Sequence, residues 1–226
     1  MRVKIHREGT NILIILLLMC ILINVPVWMF IRPVAIPIVF TLISAVLFLL
    51  VLNFFRSPRR TFHGDRKNVV VSSVDGRVVA LERVYEPECL HREVIQLSVF
   101  MSVFNVHANW FPVDGIVEYV RHHRGRFYSA YLPKASTENE RSSVLIRTTC
   151  GQPVLVRQIA GAVARRIVTY AQPGEEASIE DHMGFIKFGS RVDIFLPLDT
   201  EIFVKIGDHT VGGVTTVGRL KPLDHK

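Results

Sequence analysis

The chain has 226 residues, a formal net charge of +7 and a mean hydropathy of +0.30. Its three cysteines are far apart in sequence and form no C-x-x-C pair, which argues against a disulfide framework and a zinc site. The positive charge suits an anionic membrane surface, whereas the mixture of aromatic and basic residues typical of nucleic-acid-binding proteins is missing from the sequence. We therefore expect neither a metal nor a nucleic-acid partner.

Apolar residues are concentrated at the start of the chain. No charged residue interrupts residues 10–31 or residues 33–55, and each segment exceeds the roughly 20 residues that a helix needs to cross a bilayer. A cleavable signal peptide fits poorly, because the first segment is too long and no small-x-small cleavage site follows it. The sequence predicts a membrane anchor of two helices within residues 1–56, with a shallow re-entrant hairpin as the alternative to full spanning.

Basic residues flank the outer ends of this predicted hairpin: Arg2, Lys4, Arg7, Arg56, Arg59 and Arg60. Only Arg32 lies between the two apolar segments. The positive-inside rule then places both ends of the hairpin in the cytoplasm. We expect a protein of the cell membrane whose following domain faces the cytoplasm and contacts anionic membrane lipids.

Residues 57–226 have a different composition. They contain short runs rich in β-branched residues, with stretches of period-two alternation, separated by Gly, Pro, Asp and Asn. This pattern predicts a mainly β domain, a compact sandwich or a partly closed barrel. One short helix is expected around Glu175–His182, after the Pro173-Gly174 dipeptide.

Three stretches of this domain contain residues that could take part in chemistry. Asp75 lies in an Asp-Gly dipeptide between two apolar runs, which by itself indicates a hairpin turn. His107 lies in an apolar run, where a histidine is more often a hydrogen-bonded core residue than a base. Ser190 follows Gly189, and Ser, His and Asp are the components of an activated nucleophile. The G-x-S-x-G motif of α/β hydrolases is absent from the sequence.

Taken together, these stretches resemble the phosphatidylserine decarboxylases, and more narrowly their short bacterial and archaeal form. The resemblance rests on four motifs in this order: VDG (74–76), MSVFNVHANWFPVDG (101–115), ENER (138–141) and GFIKFGSRVDIFLP (184–197). Each motif is weak alone, but the set is specific and covers nearly all of residues 57–226.

The resemblance implies a proenzyme that cuts itself. Ser190 would attack the carbonyl of Gly189, and the resulting ester would eliminate to give two chains, residues 1–189 and 190–226. The second chain would begin with a pyruvoyl group made from Ser190. That group would form a Schiff base with the amine of phosphatidylserine, and loss of carbon dioxide would lead to phosphatidylethanolamine.

The resemblance also implies roles for His107 and Asp75. His107 would take the proton of the Ser190 hydroxyl and later protonate the product, and Asp75 would orient His107. Long-chain relatives have two histidines three residues apart in this block; the first aligns with His107, and Trp110 stands at the second position. This chain must therefore use His107 for both steps or recruit another group. The candidates are His91, His122, His123 and His182.

Each of two polar stretches has two possible interpretations from the sequence. Residues 121–126 (RHHRGR) either meet lipid phosphates or form a solvated charged loop. Asn139 and Arg141 either bind the substrate head group or belong to a structural ion pair or turn.

Two hypotheses from other classes remain open at this point. The domain could be a membrane-tethered binding module similar to carrier and adaptor barrels, which would need neither the Gly189-Ser190 pair nor His107. It could also be a serine peptidase that uses Ser190 in turnover, although the usual peptidase motifs are missing. The expected partners of a decarboxylase are phosphatidylserine, anionic lipids and the two cleavage chains themselves, with a homo-oligomer left open.

Overall fold

The fold is described from a computed structural model. The structure describes residues 3–131, 135–161, 166–187 and 190–223. Gly189, predicted to form one side of a cleavage site, lies outside these residues. The chain divides into two compact units, residues 1–59 and residues 60–226.

The first unit is a helical hairpin closed by a short two-stranded sheet. Its elements are β1 (Val3–Ile5), α1 (Arg7–Phe30), α2 (Ala35–Phe54) and β2 (Arg56–Pro58), and β1 pairs antiparallel with β2. The helices have 24 and 20 residues, and at about 1.5 Å per residue each is long enough to cross about 30 Å of hydrocarbon. Both are also apolar enough to do so. The two predicted apolar helices are therefore present.

Polar side chains join the two helices. The Asn24 side-chain amide donates to the Ser44 hydroxyl at 2.8 Å, and the Thr41 hydroxyl donates to the Asn24 side-chain oxygen at 3.0 Å. The Trp28 indole N–H donates to the Thr41 hydroxyl at 3.0 Å. These bonds satisfy, inside the hairpin, polar groups that would be costly to leave unpaired in hydrocarbon.

The second unit consists almost entirely of strands. Its elements are β3 (Val69–Val71), β4 (Gly76–Glu86), β5 (Arg92–Met101), β6 (Ala108–Trp110), β7 (Gly115–His123), α3 (Ala135–Glu138), β8 (Arg141–Thr148), β9 (Pro153–Ala160), β10 (Arg166–Thr169), β11 (Glu176–Ala177), β12 (His182–Lys187), β13 (Ser190–Leu196), β14 (Glu201–Ile202), β15 (His209–Thr210) and β16 (Thr216–Arg219). The mainly β prediction is confirmed.

These strands form three sheets. The largest has eight strands in the order β11-β7-β8-β9-β13-β5-β4-β15 and curls into a half-barrel. Two three-stranded sheets, β10-β12-β6 and β14-β16-β3, complete the unit. The strand pairs within the described ranges are antiparallel.

The hydrophobic core lies between the large sheet and the two small ones. The large sheet contributes side chains such as Leu97, Ile146 and Ile194, and the small sheets contribute Met183 and Val217. Because side chains alternate along a strand, every second residue of β13 points into this core. β13 is the central strand of the large sheet, because β9 and β5 flank it and all seven of its residues are buried.

One end of the large sheet gathers the predicted site. Ser190, the first residue of β13, pairs with Met101 at the end of β5 and with Ala160 at the end of β9. The neighbouring strands share this end, which we call the Ser190 end: β4 begins here at Gly76, β8 begins at Arg141 and β7 ends at His123. The loops that leave these strand termini therefore surround Ser190.

The helix expected around Glu175–His182 is absent, and this prediction was wrong. Gly174 has φ of +89° and donates its N–H to Val117, which turns the chain back along β7. Glu176–Ala177 then pairs with β7 as the edge strand β11, and a turn follows. The backbone hydrogen bonds to β7 replace those that a helix would have made.

Candidate active site

Ser190 is buried at the start of the central strand. Pairing with strands on both sides fixes its backbone, and its side chain has no solvent exposure. Its hydroxyl donates to the Met101 sulfur at 3.2 Å. A thioether is a weak acceptor, so no strong bond among the described residues holds this hydroxyl in a structural role.

The ENER motif fixes the backbone beside Ser190. The fully buried Asn139 side chain donates to the carbonyl oxygens of Tyr128 and Ala160, at 2.8 and 2.7 Å. Ala160 in turn donates its N–H to the Glu140 carbonyl. Arg141 is paired with the Glu88 carboxylate. Of the two interpretations of this motif, the structure supports the structural one.

His107 lies on the loop that follows β5, and that loop begins after Met101, the strand partner of Ser190. Asn105 closes the first turn of that loop by accepting from the Ser102 N–H at 2.8 Å. The His107 ring is fully buried, and its Nδ1 lies 2.9 Å from the Asn105 carbonyl oxygen. A carbonyl oxygen can only accept, so Nδ1 carries a proton in this contact. Nε2 is then the ring nitrogen that can exchange a proton with a reacting group.

Strand β12 ties His107 to the segment that leads into Ser190. The His107 carbonyl accepts the N–H of Ile186 at 3.3 Å, four residues before Ser190. The His107 and Phe185 rings lie with centroids 6.5 Å apart. The structure therefore brings His107 and Ser190 to the same end of the fold.

A series of hydrogen bonds between polar side chains begins at the His107 carbonyl, and it was not predicted from the sequence. The Asn109 amide donates to the His107 carbonyl at 3.2 Å, and the Gln158 amide donates to the Asn109 side-chain oxygen at 2.6 Å. Thr169 donates to the Gln158 side-chain oxygen at 2.9 Å. The signal in the sequence was polar residues inside otherwise apolar strands, which are costly to bury unless they are bonded.

Among the described residues, no hydrogen bond or ion pair joins Asp75 to His107. Within the part of the chain that the structure describes, the Asp75 carboxylate accepts from the Arg60 guanidinium at 2.5 and 2.8 Å and from the Gly212 N–H at 2.9 Å. Arg60 also donates to the Gly212 carbonyl at 2.7 Å. From the sequence, Arg60 was expected to lie at the membrane surface with the other basic residues that flank the anchor. Its side chain is instead only 6% exposed.

Trp110 completes this group. The Arg60 guanidinium lies 4.3 Å from the centroid of its indole ring, a cation–π contact. The His182 ring meets the indole edge-on at 4.8 Å. A Cβ added at Gly212 or Gly213 would lie 2.8 or 3.1 Å from the same ring, so glycine permits the close approach.

His122 and His123 lie at the end of β7, and each has a carboxylate neighbour. His122 is 3.3 Å from the Glu140 carboxylate, and His123 is 3.8 Å from that of Glu88. Burial, followed by the nearby Arg141, lowers the pKa of His123. His91 is exposed and has φ of +49°, which is typical of a turn.

Comparison with known proteins assigns the chain to a family. The family described as phosphatidylserine decarboxylase matches residues 47–218. A phosphatidylserine decarboxylase proenzyme of Phocaeicola vulgatus is 53% identical over 220 residues, which cover 97% of this chain and 96% of the relative. Proenzymes of the same name from Parabacteroides distasonis and Porphyromonas gingivalis are 52% and 48% identical, each over 96% of this chain and 99% of the relative.

The chain belongs to the phosphatidylserine decarboxylase family. The resemblance stated from the four motifs is thereby confirmed. Membership does not favour the alternative of a binding module without catalysis.

A second group of charged side chains lies on the opposite face of β13 in this decarboxylase. Arg191 pairs with Asp193 at 2.8 Å, and Arg157 pairs with Glu86 at 2.7 Å. Arg191, Arg157 and Glu86 border a cavity of about 290 Å³ that Phe195 also lines. Because Ser190 points to the other face of the strand, this cavity does not contain the candidate nucleophile.

Glu86 is held in its charged form. Burial would raise the pKa of its carboxyl, but the backbone N–H groups of Leu90, Cys89 and Glu88, together with Arg157, keep that pKa below its usual value. Burial also raises the pKa of the Cys89 thiol to about 11. This thiol is therefore not a reactive thiolate at neutral pH.

No three His, Cys, Asp or Glu side chains among the described residues are grouped as a metal site.

Proposed function

We propose that this chain is made as a proenzyme, cuts itself between Gly189 and Ser190, and then decarboxylates phosphatidylserine to phosphatidylethanolamine. Family membership supports the reaction. The observation that supports the self-processing step is the position of Ser190, buried at the start of the central strand and paired with Met101, whose loop leads to His107.

In the first step the Ser190 hydroxyl attacks the carbonyl carbon of Gly189, and the bond from that carbon to the Ser190 nitrogen breaks. The ester so formed eliminates, which leaves Gly189 as a free carboxylate. Loss of ammonia from residue 190, with uptake of water, gives the pyruvoyl group. His107 is the proposed base: with Nδ1 at the Asn105 carbonyl, Nε2 is the nitrogen that would take the hydroxyl proton.

The surroundings of Ser190 fit a pyruvoyl group. The Ser190 hydroxyl donates to a weak acceptor, so loss of this hydroxyl when residue 190 becomes a pyruvoyl group would remove only a weak hydrogen bond. Loss of the residue 190 nitrogen leaves the pairing of residues 191–195 with β5 and β9, and this pairing would hold the new chain end in place without a covalent link to residue 189. When formed, the group supplies a carbonyl that condenses with the substrate amine and accepts the electron pair left by carbon dioxide.

His107 then serves as the proposed proton donor to the product carbon. The Asn105 carbonyl, together with Asn109 and Ile186, fixes the ring and its backbone, which would hold the imidazole in one orientation for both steps. A histidine can act first as a base and then as an acid, because the imidazole that accepts a proton can later donate one.

Asp75 enters this proposal as a positioning residue. It acts through Arg60, which lies on Trp110, and Trp110 ends the short strand that follows His107. The direct contact of Asp75 with Gly212 also connects residues 1–189 to the C-terminal chain.

The apolar hairpin supplies a reason for the enzyme to meet a lipid substrate. Residues 1–56 are proposed as a membrane anchor, with residues 57–226 as the decarboxylase domain on the cytoplasmic side. Two helices of sufficient length and hydropathy, and basic residues at both outer ends, support this arrangement.

Replacing Ser190 by alanine tests the proposal. We expect Ser190→Ala to remain one uncut chain without decarboxylase activity, because both the nucleophile and the precursor of the prosthetic group are gone. Ser143→Ala, which removes another fully buried strand hydroxyl, should be cut and active. Denaturing gels and release of carbon dioxide from phosphatidylserine measure both properties; a cut or active Ser190→Ala protein would overturn the proposal.

A further inference from the structure

The Ser190 end of the sheet carries a group of exposed apolar and basic side chains. Phe104 is 65% exposed, Tyr131 is 64% exposed and Val103 is 47% exposed. Phe127 and Arg124 are also exposed. We call these five residues the docking rim.

Strand register and one ring contact put four residues of the docking rim at the Ser190 end: Val103, Phe104, Arg124 and Tyr131. Val103 and Phe104 follow Met101, the partner of Ser190, on the loop that leads to His107. Arg124 follows the end of β7, whose last residue pairs with Arg141 at the start of β8. Tyr131 packs edge-on against Phe100, with ring centroids 5.8 Å apart.

We propose that the docking rim is where the catalytic domain rests on an anionic phospholipid bilayer, a surface contact additional to the helical hairpin. This inference rests on the proposed function. A substrate whose acyl chains stay in the bilayer can deliver its head group to buried Ser190 only if the domain turns the Ser190 end toward the lipid.

The chemistry of the rim matches the bilayer interface. Aromatic side chains partition to the level of the lipid head groups, and cationic side chains are attracted by anionic lipids. The apolar tip of the 102–105 loop, with Val103 and Phe104, is suited to shallow insertion between head groups. Within the basic segment 121–126, Arg124 is exposed and would contact lipid head groups. His123 is partly buried and is not included in the docking rim.

A second copy of the chain fits this surface less well. A two-fold dimer through the rim would bring Arg124 of each copy to the same interface, where like charges repel. An anionic membrane neutralises those charges instead.

Tryptophan quenching by lipid locates the rim directly. The full-length chain is placed in nanodiscs that contain phosphatidylserine and brominated phosphatidylcholine, and the Phe104→Trp variant is compared with Ile116→Trp. Ile116 is a matched control, since it is 48% exposed and lies at the other end of β7. We expect bromine to remove about half of the emission that Phe104→Trp adds, because its ring reaches the head groups, and little of the emission that Ile116→Trp adds.

Equal quenching of the two variants would overturn the proposal. So would a blue shift of Phe104→Trp emission that grows with protein concentration without lipid, because that result would identify a second copy as the occupant. Quenching does not require catalysis: an uncut, inactive wild-type chain would refute the proposed function, and quenching of Phe104→Trp in that chain would still support docking.

A kinetic measurement tests the same surface through its function. The quantity is the ratio of the decarboxylation rate on phosphatidylserine vesicles to that on dispersed short-chain phosphatidylserine. We expect this ratio to fall about 5-fold to 10-fold in Phe104→Ser/Arg124→Glu, because both an apolar and a cationic contact with the bilayer are lost.

The control for this measurement is Ile116→Ser/Arg147→Glu. Arg147 is the strand partner of Ile116 at the far end of β7, and its side chain is 45% exposed. The control variant should keep the parent ratio. An unchanged ratio in the rim variant would overturn the proposal, and so would an equal fall in both variants.

Discussion

Arg60 and Asp75 form a nearly buried ion pair whose loss should be costly. The two side chains are 6% and 14% exposed and share two hydrogen bonds. Removing one partner of a buried pair leaves an uncompensated charge, at about 3 kcal/mol or more. We expect Arg60→Met and Asp75→Asn each to lower the free energy of unfolding by roughly that amount.

The double variant should lose much less than the sum of the two single variants, because the second replacement removes the charge that the first one stranded. Denaturant unfolding of the four proteins measures this coupling. The exposed Arg66–Asp114 pair is the control, with an expected coupling below about 1 kcal/mol. Additive losses at Arg60 and Asp75 would mean that the two residues act independently.

Glu86 makes the stability depend on pH in a defined direction. Its pKa in the folded protein lies below the ordinary value of 4.5, so the unfolded chain takes up a proton at a higher pH than the folded one. The stabilisation is complete above about pH 4.5 and is lost as the pH falls toward the folded pKa. We expect Glu86→Gln to flatten the acid-side loss of stability, measured by denaturant unfolding at several pH values.

Glu82→Gln is the matched control for this prediction, because Glu82 is an exposed carboxylate on the same strand. Its pH profile should follow that of the parent. An acid-side slope that Glu86→Gln leaves unchanged would show that other groups dominate; His123, whose pKa is also lowered, would contribute between its ordinary value of 6.5 and lower pH.

At the scale of elements, β13 should hold the two cleavage products together. Seven of its residues pair with β5 and six with β9. The same C-terminal chain adds β15 to β4 and β16 to β3. Size-exclusion chromatography in mild detergent should therefore keep residues 190–226 with residues 1–189, and the uncut Ser190→Ala protein should elute at the same volume. Loss of the small chain without denaturant would contradict this expectation.

The elements also show what the sequence could and could not predict. Long uncharged segments determine helices in hydrocarbon, and β-branched alternation determines strands, so both classes were predictable. The helix expected at 175–182 failed because pairing of β11 with β7 is a long-range contact that local propensity does not contain. The pairing of Arg60 with Asp75 was missed for the same reason, since the basic residues after the anchor look alike in sequence.

Within the candidate site, motifs predicted which residues to examine but not how they are connected. Ser190 and His107 were expected together and lie at one end of the fold. Among the described residues, the Asn105 carbonyl lies within hydrogen-bond distance of the His107 ring, and no side-chain motif can reveal a contact with a backbone atom. The buried polar side chains of Asn109 and Gln158 gave only the general signal that a polar group in a core needs a partner.

At the scale of the whole molecule, the central claim is that the chain converts itself into two chains with a new prosthetic group. The intact mass of wild-type protein under denaturing conditions tests this most directly. We predict two chains, residues 1–189 and 190–226, with the smaller one lighter by one ammonia than its sequence and reactive toward carbonyl reagents. A single uncut wild-type chain that still decarboxylates phosphatidylserine would contradict the account.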